Sequence, residues 1–440
     1  MNDVHGAVLS QSAAVADCRF PKPFDNGLEF NAPVHGTWNI VHIGYEIPGA
    51  HQIYICADNC MRGVVMTAAE MGELARFSGV VLEEDDMVFA GRIEQTTIEG
   101  VSDVLRSLDS LPPAAIIFPV CAHKFMGCDM EYVYRCLEER FPKVKFVRAF
   151  MDPIMQKRGT SPDVRLRRAM LDIIDEQPVN PLAVNVAGCD VSMAEDNDIR
   201  KLLVDSGCIV REMCCCSSFE DYMNMGQGRL NICCNPAGVP GVKNFSGRFG
   251  RDYIWLPFVF DYGKTQTGLE LLAAKLGKSF AEDKEAMKND VESAFAAAEK
   301  VIMDTEIALD YTAVARPLSL GRFLIEHRFN LTKIYLDVID TDEEEDFRWL
   351  QANAPGLVIS STVDISGRVL RRDNAGCLAI GQKAAWFEGT AHFVNIVEGG
   401  GLYGYSGMIR FAGLMEEALL EEKDTRDIVP RKGLGCASLI

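Results

Sequence analysis

Pro181-Leu-Ala-Val-Asn-Val-Ala-Gly-Cys189 is the stretch that decides the fold. Its run Leu182–Ala187 is short, apolar and rich in β-branched residues, then stops at a glycine, so it reads as a buried strand. A helical pattern follows at Asp196–Ser206, a strand at Cys208–Met213, and a short helix at Ser218–Met225. Two more strands follow at Arg229–Cys234 and Ile254–Phe260. Strands alternating with helices in this way give a βαβαβ unit and a parallel sheet. In open sheets of that kind, ligands collect outside the carboxyl ends of the strands.

The same alternation runs outward in both directions. Upstream, strands are expected at Gln52–Cys56, Met87–Ala90, Ala115–Val120 and Lys145–Ala149, with helices at Gly63–Phe77 and Asp129–Phe141. Downstream, a long helix is expected from about Ser279 to Leu309. Ser279 and Glu282 have capping-box spacing, and Met287, Val291, Phe295, Ala298 and Ile302 share one face. Further strands are expected at Lys333–Val338, Leu357–Ser361, Cys377–Ile380 and His392–Val397, before a last helix at Met408–Glu422. The fold class is therefore α/β: three tandem Rossmann-like domains with parallel sheets and a long connecting helix before the third. The expected division is 1–180, 181–278, a connecting helix at 279–312, and 313–440.

The chain has 440 residues and a formal net charge of −19. Such a surface repels phosphate backbones and anionic membranes, so neither nucleic acid nor membrane is an expected partner. No window approaches the roughly 18 to 20 unbroken apolar residues of a membrane span. Met1–Ser10 lacks the basic and apolar regions of a signal peptide, so a cytoplasmic location is expected. Two charge runs stand out. Met155–Asp175 is basic, with Arg165, Arg167 and Arg168, and reads as a solvated helix face or a docking patch. Asp340–Asp346 is acidic and reads as a solvated helix start.

Fifteen cysteines, an odd number with several adjacent, do not make a disulfide framework. Packing explains any single buried thiol as well as chemistry does; the clusters are harder to explain that way. Cys56 ends one expected strand, with Cys60 four residues on. Cys121 ends another, with Cys128 seven residues on. Four thiolates at strand carboxyl ends suit an Fe–S cluster, since iron takes soft sulfur ligands. Zinc also takes four cysteines, but the short pairs of zinc ribbons are missing. The second block repeats the arrangement with Cys189, then Cys214, Cys215 and Cys216, then Cys233 and Cys234. Neighbours on an extended chain point alternately, so two or three of these six are expected to share a cavity for a second metal–sulfur cofactor.

Several stretches, in order, resemble the nitrogenase component 1 superfamily. The family's His-Gly-x-x-Gly-Cys spacing is kept, without its glycines, in His51-Gln-Ile-Tyr-Ile-Cys56. Its Val-Phe-Gly-Gly strand is similar to Asp86-Met-Val-Phe-Ala-Gly91. Its Cys-Pro-x-x-x-Ile-Gly-Asp-Asp is similar to Cys121-Ala-His-Lys-Phe-Met-Gly-Cys-Asp129. Val184-Asn-Val-Ala-Gly188, Arg229-Leu-Asn-Ile-Cys-Cys234 and Tyr405-Ser-Gly407 resemble later motifs.

The resemblance implies that Cys56 and Cys121 hold a cluster at a subunit interface, with Cys60 and Cys128 as extra ligands. The family places another ligand early in the chain. Around Phe30–Asn31 there is none, and Cys18 is too far upstream, which implies a 4Fe–4S cluster rather than an eight-iron one. The cofactor-ligand histidine of nitrogenase falls near Val394, with only His392 close by, so a homocitrate-type molybdenum cofactor is not implied.

The resemblance further implies a reductase subunit fed by an iron-protein-like ATPase, working as a homodimer or as a heterotetramer with a paralogous chain. His51, His123 and Lys124 are expected beside the ligands, either tuning the cluster or relaying protons, or in plain structural roles. The alternatives are a scaffold or carrier that assembles a metal–sulfur cluster, and a zinc- or thiol-based α/β protein binding a small ligand.

Overall fold

Among the described residues fourteen strands form, in chain order: β1 (Ser12–Ala14), β2 (His51–Cys56), β3 (Phe77–Val81), β4 (Ala114–Pro119), β5 (Lys145–Arg148), β6 (Asn180–Val186), β7 (Ile209–Glu212), β8 (Gly228–Cys233), β9 (Asp252–Trp255), β10 (Ile307–Asp310), β11 (Leu331–Tyr335), β12 (Val358–Ser360), β13 (Leu378–Ile380) and β14 (Phe393–Val394). The structure is a computed structural model that describes residues 11–424 except 26–28, 31, 33, 35–38, 90, 152–159, 281 and 371.

The strands make three sheets, ordered β3-β2-β4-β5, β7-β6-β8-β9 and β1-β12-β11-β10-β13-β14. Every pairing is parallel except β1 against β12. Sheets that are parallel but for one edge strand, with crossover helices, are the α/β architecture of Rossmann-like domains.

Two compact units divide the chain. One comprises residues 38–192 and 207–255 and holds both four-stranded sheets. A single core runs through it, from Ile53, Ile55, Ile116 and Phe118 to Met213, Cys233 and Phe245. The helix Pro162–Asp172 helps join its two sheets: Leu166, Met170 and Leu171 are buried in that core. Arg248, on the helix Val239–Arg248, donates to the carbonyls of Leu171, Asp172 and Ile174.

The other unit comprises residues 1–37, 193–206 and 256–440 and holds the six-stranded sheet. Its helix Lys284–Ile302 buries Val291, Phe295, Ala298 and Ile302, and packs along the helix Gly404–Leu420.

Four local expectations are corrected. Met87–Ala90 is not a strand: Glu84–Val88 is helical, because Glu83 and Asp86 form a reciprocal capping box; residue 90 lies outside the described residues. The strand is Phe77–Val81 instead. The long helix starts at Lys284 with Asp283 as its cap, and stops at Ile302, where Met303 adopts φ 49°. Ile307–Asp310, expected inside that helix, is the strand β10 between β11 and β13.

The acidic run is not uniformly solvated. Glu343 and Asp346 are buried, and Glu343 accepts from the Leu318 and Ser319 amides at the start of the helix Pro317–Glu326. In the basic run Arg167 is buried rather than solvated, while Arg168 stays largely exposed; residues 152–159 lie outside the described residues.

Candidate functional site

β2 and β4 are neighbours in parallel register, with Ile55 opposite Pro119. Their carboxyl ends therefore lie side by side, about 4.8 Å apart. Cys56 is the last residue of β2, and Cys121 opens the helix Cys121–Phe125 just past β4. Cys60 is on the first turn of the helix Asp58–Glu70, and Cys128 follows Gly127, whose φ is 68°.

Cys56 is fully buried, Cys121 and Cys128 are partly buried, and Cys60 is exposed. The Cys56 sulfur lies 3.9 Å from Met61 Sδ and that of Cys128 3.6 Å from Met130 Sδ, so two thioethers line the same edge. Burial pushes the Cys56 thiol up to about 12. Burial and the Glu94 carboxylate do the same to Cys128. Thiols this hard to ionise stay protonated until a cation compensates their charge. The soft donor set, buried at Cys56 and open to solvent at Cys60, fits an iron–sulfur group.

The neighbouring histidines are both held by hydrogen bonds. His51 starts β2, five residues from Cys56 and thus roughly 16 Å along the strand, with Nε2 2.8 Å from Ser78 Oγ. It is at the opposite end of the sheet from the cysteines, which corrects its expected place beside them. His123 is at the cysteine edge but buried. The Val120 amide donates to its Nδ1, and its Nε2 lies 3.0 Å from the Thr97 hydroxyl. That hydroxyl donates to the Ile93 carbonyl, which leaves it an acceptor and His123 the Nε2–H tautomer. Lys124 is exposed.

The six thiols of the second sheet divide between two places. Cys189, Cys233 and Cys234 come together, all buried, beyond the carboxyl ends of β6 and β8. The Cys234 amide donates to Cys189 Sγ at 3.2 Å, and Cys233 Sγ lies 3.2 Å from the Asn235 carbonyl. The Cys233 and Cys234 thiols both donate to Cys189 and hold it well below the usual thiol range, while burial pushes Cys233 up. Cys189 is thus the thiol that the other two serve as donors.

The turn that carries Cys189 needs glycine. Gly188 has φ 69°, and a Cβ on Gly238 would lie 2.3 Å from the Gly188 carbonyl oxygen.

Beside this trio is a buried ion pair that sequence reasoning missed. Arg167 holds Asp190 with two nitrogens, Nε at 3.1 Å from Oδ1 and Nη2 against Oδ2, and reaches Asp163 with Nη1. Asn235 also donates toward Asp190. The signal was present in Asp190 following Cys189, but the arginine was hidden within a basic run.

Cys214, Cys215 and Cys216 follow β7, which is separated from β8 by β6, so they start roughly 10 Å from the end of β8 that carries Cys233. Cys216 packs against the core, and burial pushes its thiol up to about 12. Cys214 and Cys215 join Glu212 instead: the three donor atoms lie within 4.8 Å of one another.

A family model described as nitrogenase component 1 type oxidoreductase matches residues 45–420. Among solved structures, one described as "Nitrogenase Cp1 at pH 6.5" aligns with a TM-score of 0.67 at 16% identity, covering 90% of this chain and 94% of that one. A second, "Nitrogenase Cp1 at pH 5", gives 0.52 at 10% identity, covering 95% and 90%. At these identities the structural likeness speaks for the fold alone. No curated protein matches the chain.

Proposed function

The chain belongs to the nitrogenase component 1 type oxidoreductase family, and on that premise we propose that it is a reductase subunit fed by an ATP-dependent iron protein. Cys56, Cys60, Cys121 and Cys128 would hold a 4Fe–4S cluster. The observation that carries this reading is the placing of Cys56 and Cys121 on adjacent strand ends, with Cys60 and Cys128 on the segments that follow each strand.

When bound, such a group accepts and passes single electrons. The chain's own residues do the rest. Met61 and Met130 place apolar thioethers beside Cys56 and Cys128. Glu94 places a carboxylate beside Cys128 and accepts from the Asp129 amide, fixing the loop that presents that thiol. His123, buried and doubly bonded, fixes the start of the Cys121 helix.

The exposed side chains Phe89, Phe125 and Met126 lie on the segments next to these cysteines. They support pairing with an identical or paralogous subunit across this edge. Among the described residues no helix is long and apolar enough to cross a membrane.

A second reading, a scaffold or carrier for cluster assembly, is favoured by the buried trio Cys189, Cys233 and Cys234. Three converging buried thiols suit tight sulfur-rich holding of a second metal–sulfur cofactor.

Anaerobic purification with iron and sulfide analysis, and EPR of the dithionite-reduced protein, tests the first reading. About four irons per chain or per dimer, lost in Cys56→Ala and Cys121→Ala, is the expected result. Iron that survives both substitutions moves the cluster to the second sheet. Protein lacking iron and sulfide sinks the redox reading. Adding a reduced iron protein with ATP then separates turnover from cluster transfer.

A further inference from the structure

We propose that Glu212, Cys214 and Cys215 form a mononuclear site for a borderline-soft divalent cation of the zinc class, separate from any iron–sulfur group. β7 ends at Glu212, and Met213–Cys215 then make a single turn of 3-10 helix. Three residues per turn bring the chain round so that Cys215 returns over Glu212. An extended chain would have pointed the two cysteines to opposite faces.

The result is a carboxylate and two thiols whose donor atoms all lie within 4.8 Å of one another. The two sulfurs are 3.9 Å apart. Tetrahedral zinc with bonds of about 2.3 Å to sulfur needs its two sulfurs roughly 3.8 Å apart, so the metal-free spacing already suits the ion. Two sulfurs and one oxygen select zinc-like ions over calcium or magnesium, which take oxygen.

The charge also fits. Once a cation has displaced the two thiol protons, Glu212 and the sulfurs present three negative charges, and the Glu46 carboxylate adds to them from the end of the helix Ile40–Tyr45. Glu212 is buried, Cys214 partly buried and Cys215 exposed. The ion therefore has an anchored floor and a path in from solvent. With three protein donors the fourth position is left to water or another small ligand, unlike the closed four-ligand shell of structural zinc sites.

The test uses the whole chain, purified without oxygen with its iron retained. It is equilibrated with one equivalent of Zn2+, desalted and analysed for metals and by X-ray absorption at the zinc edge. One zinc per chain is expected, with two sulfur neighbours at about 2.3 Å and the remainder oxygen or nitrogen. Cys214→Ser with Cys215→Ser loses that zinc and leaves iron unchanged. Glu212→Gln weakens retention by about tenfold or more.

The wild-type absorption spectrum alone is decisive if the double variant does not fold. Three or four sulfur neighbours assign the zinc to another cysteine group and overturn the proposal. So does zinc that washes out of the wild type, or stays in the folded double variant. Loss of iron from the wild type bears on the cluster and leaves this result readable.

Discussion

Arg167 is the largest of the fully buried side chains, and it is buried because Asp190 and Asp163 take its charge. A buried pair of this kind earns little net stability, but breaking it is expensive, since the survivor is left charged in a dry site. Arg167→Met is expected to lower the denaturant-unfolding free energy by about 3–5 kcal/mol. Adding Asp190→Asn should restore part of that loss, because it removes the stranded charge. A double variant as unstable as the sum of the two singles would show that the pair is not coupled. The same pair stands beside Cys189, where its hydrogen-bonded network fixes the turn that presents the thiol.

At the scale of the element, the acidic run that begins the helix Glu344–Asn353 serves a neighbour. Glu343 caps the helix Pro317–Glu326 through two amides, at 2.7 and 3.1 Å. Burial pushes its carboxyl up to about 8, against the lowering pull of those amides and of Arg316. A carboxyl raised on folding binds more protons folded than unfolded between those two values. Its contribution is fully present below the unfolded value and is lost as pH rises through about 8. The linkage is worth at most about 5 kcal/mol. Glu343→Gln keeps an acceptor for the amides and removes the titration. Melting curves should show the variant close to wild type near pH ~5 and more stable near pH ~9. Parallel pH profiles for the two proteins would refute this role.

For the whole molecule, the proposed pairing across the cysteine edge makes Phe125 informative, because it is 64% exposed on the helix that Cys121 opens. Phe125→Glu is expected to shift anaerobic sedimentation toward the single chain. It should change unfolding by no more than about 0.5 kcal/mol, as for other surface positions. Unchanged sedimentation would remove this edge from the interface. The net charge of −19 spread over the sequence makes such an apolar edge more telling, since charge alone would keep copies apart.

The order of strands and helices was legible in the sequence, because short β-branched runs and 3.6-residue periodicity are local signals. β2, β4, β8 and the buried face Val291, Phe295, Ala298, Ile302 all follow from them. The cysteines of the first sheet were legible as strand-end residues for the same reason. The misreadings came where local preference yields to a partner. Ile307–Asp310 extends a helical pattern in the sequence but becomes a strand because β11 and β13 flank it. Arg167 and Glu343 are ordinary surface charges by sequence, and only packing against Asp190 or a helix end makes their burial tolerable. The six thiols of the second sheet were visible as one group. Which of them meet depends on one 3-10 turn and on strand order, and strand order is set by long-range pairing that no local stretch encodes.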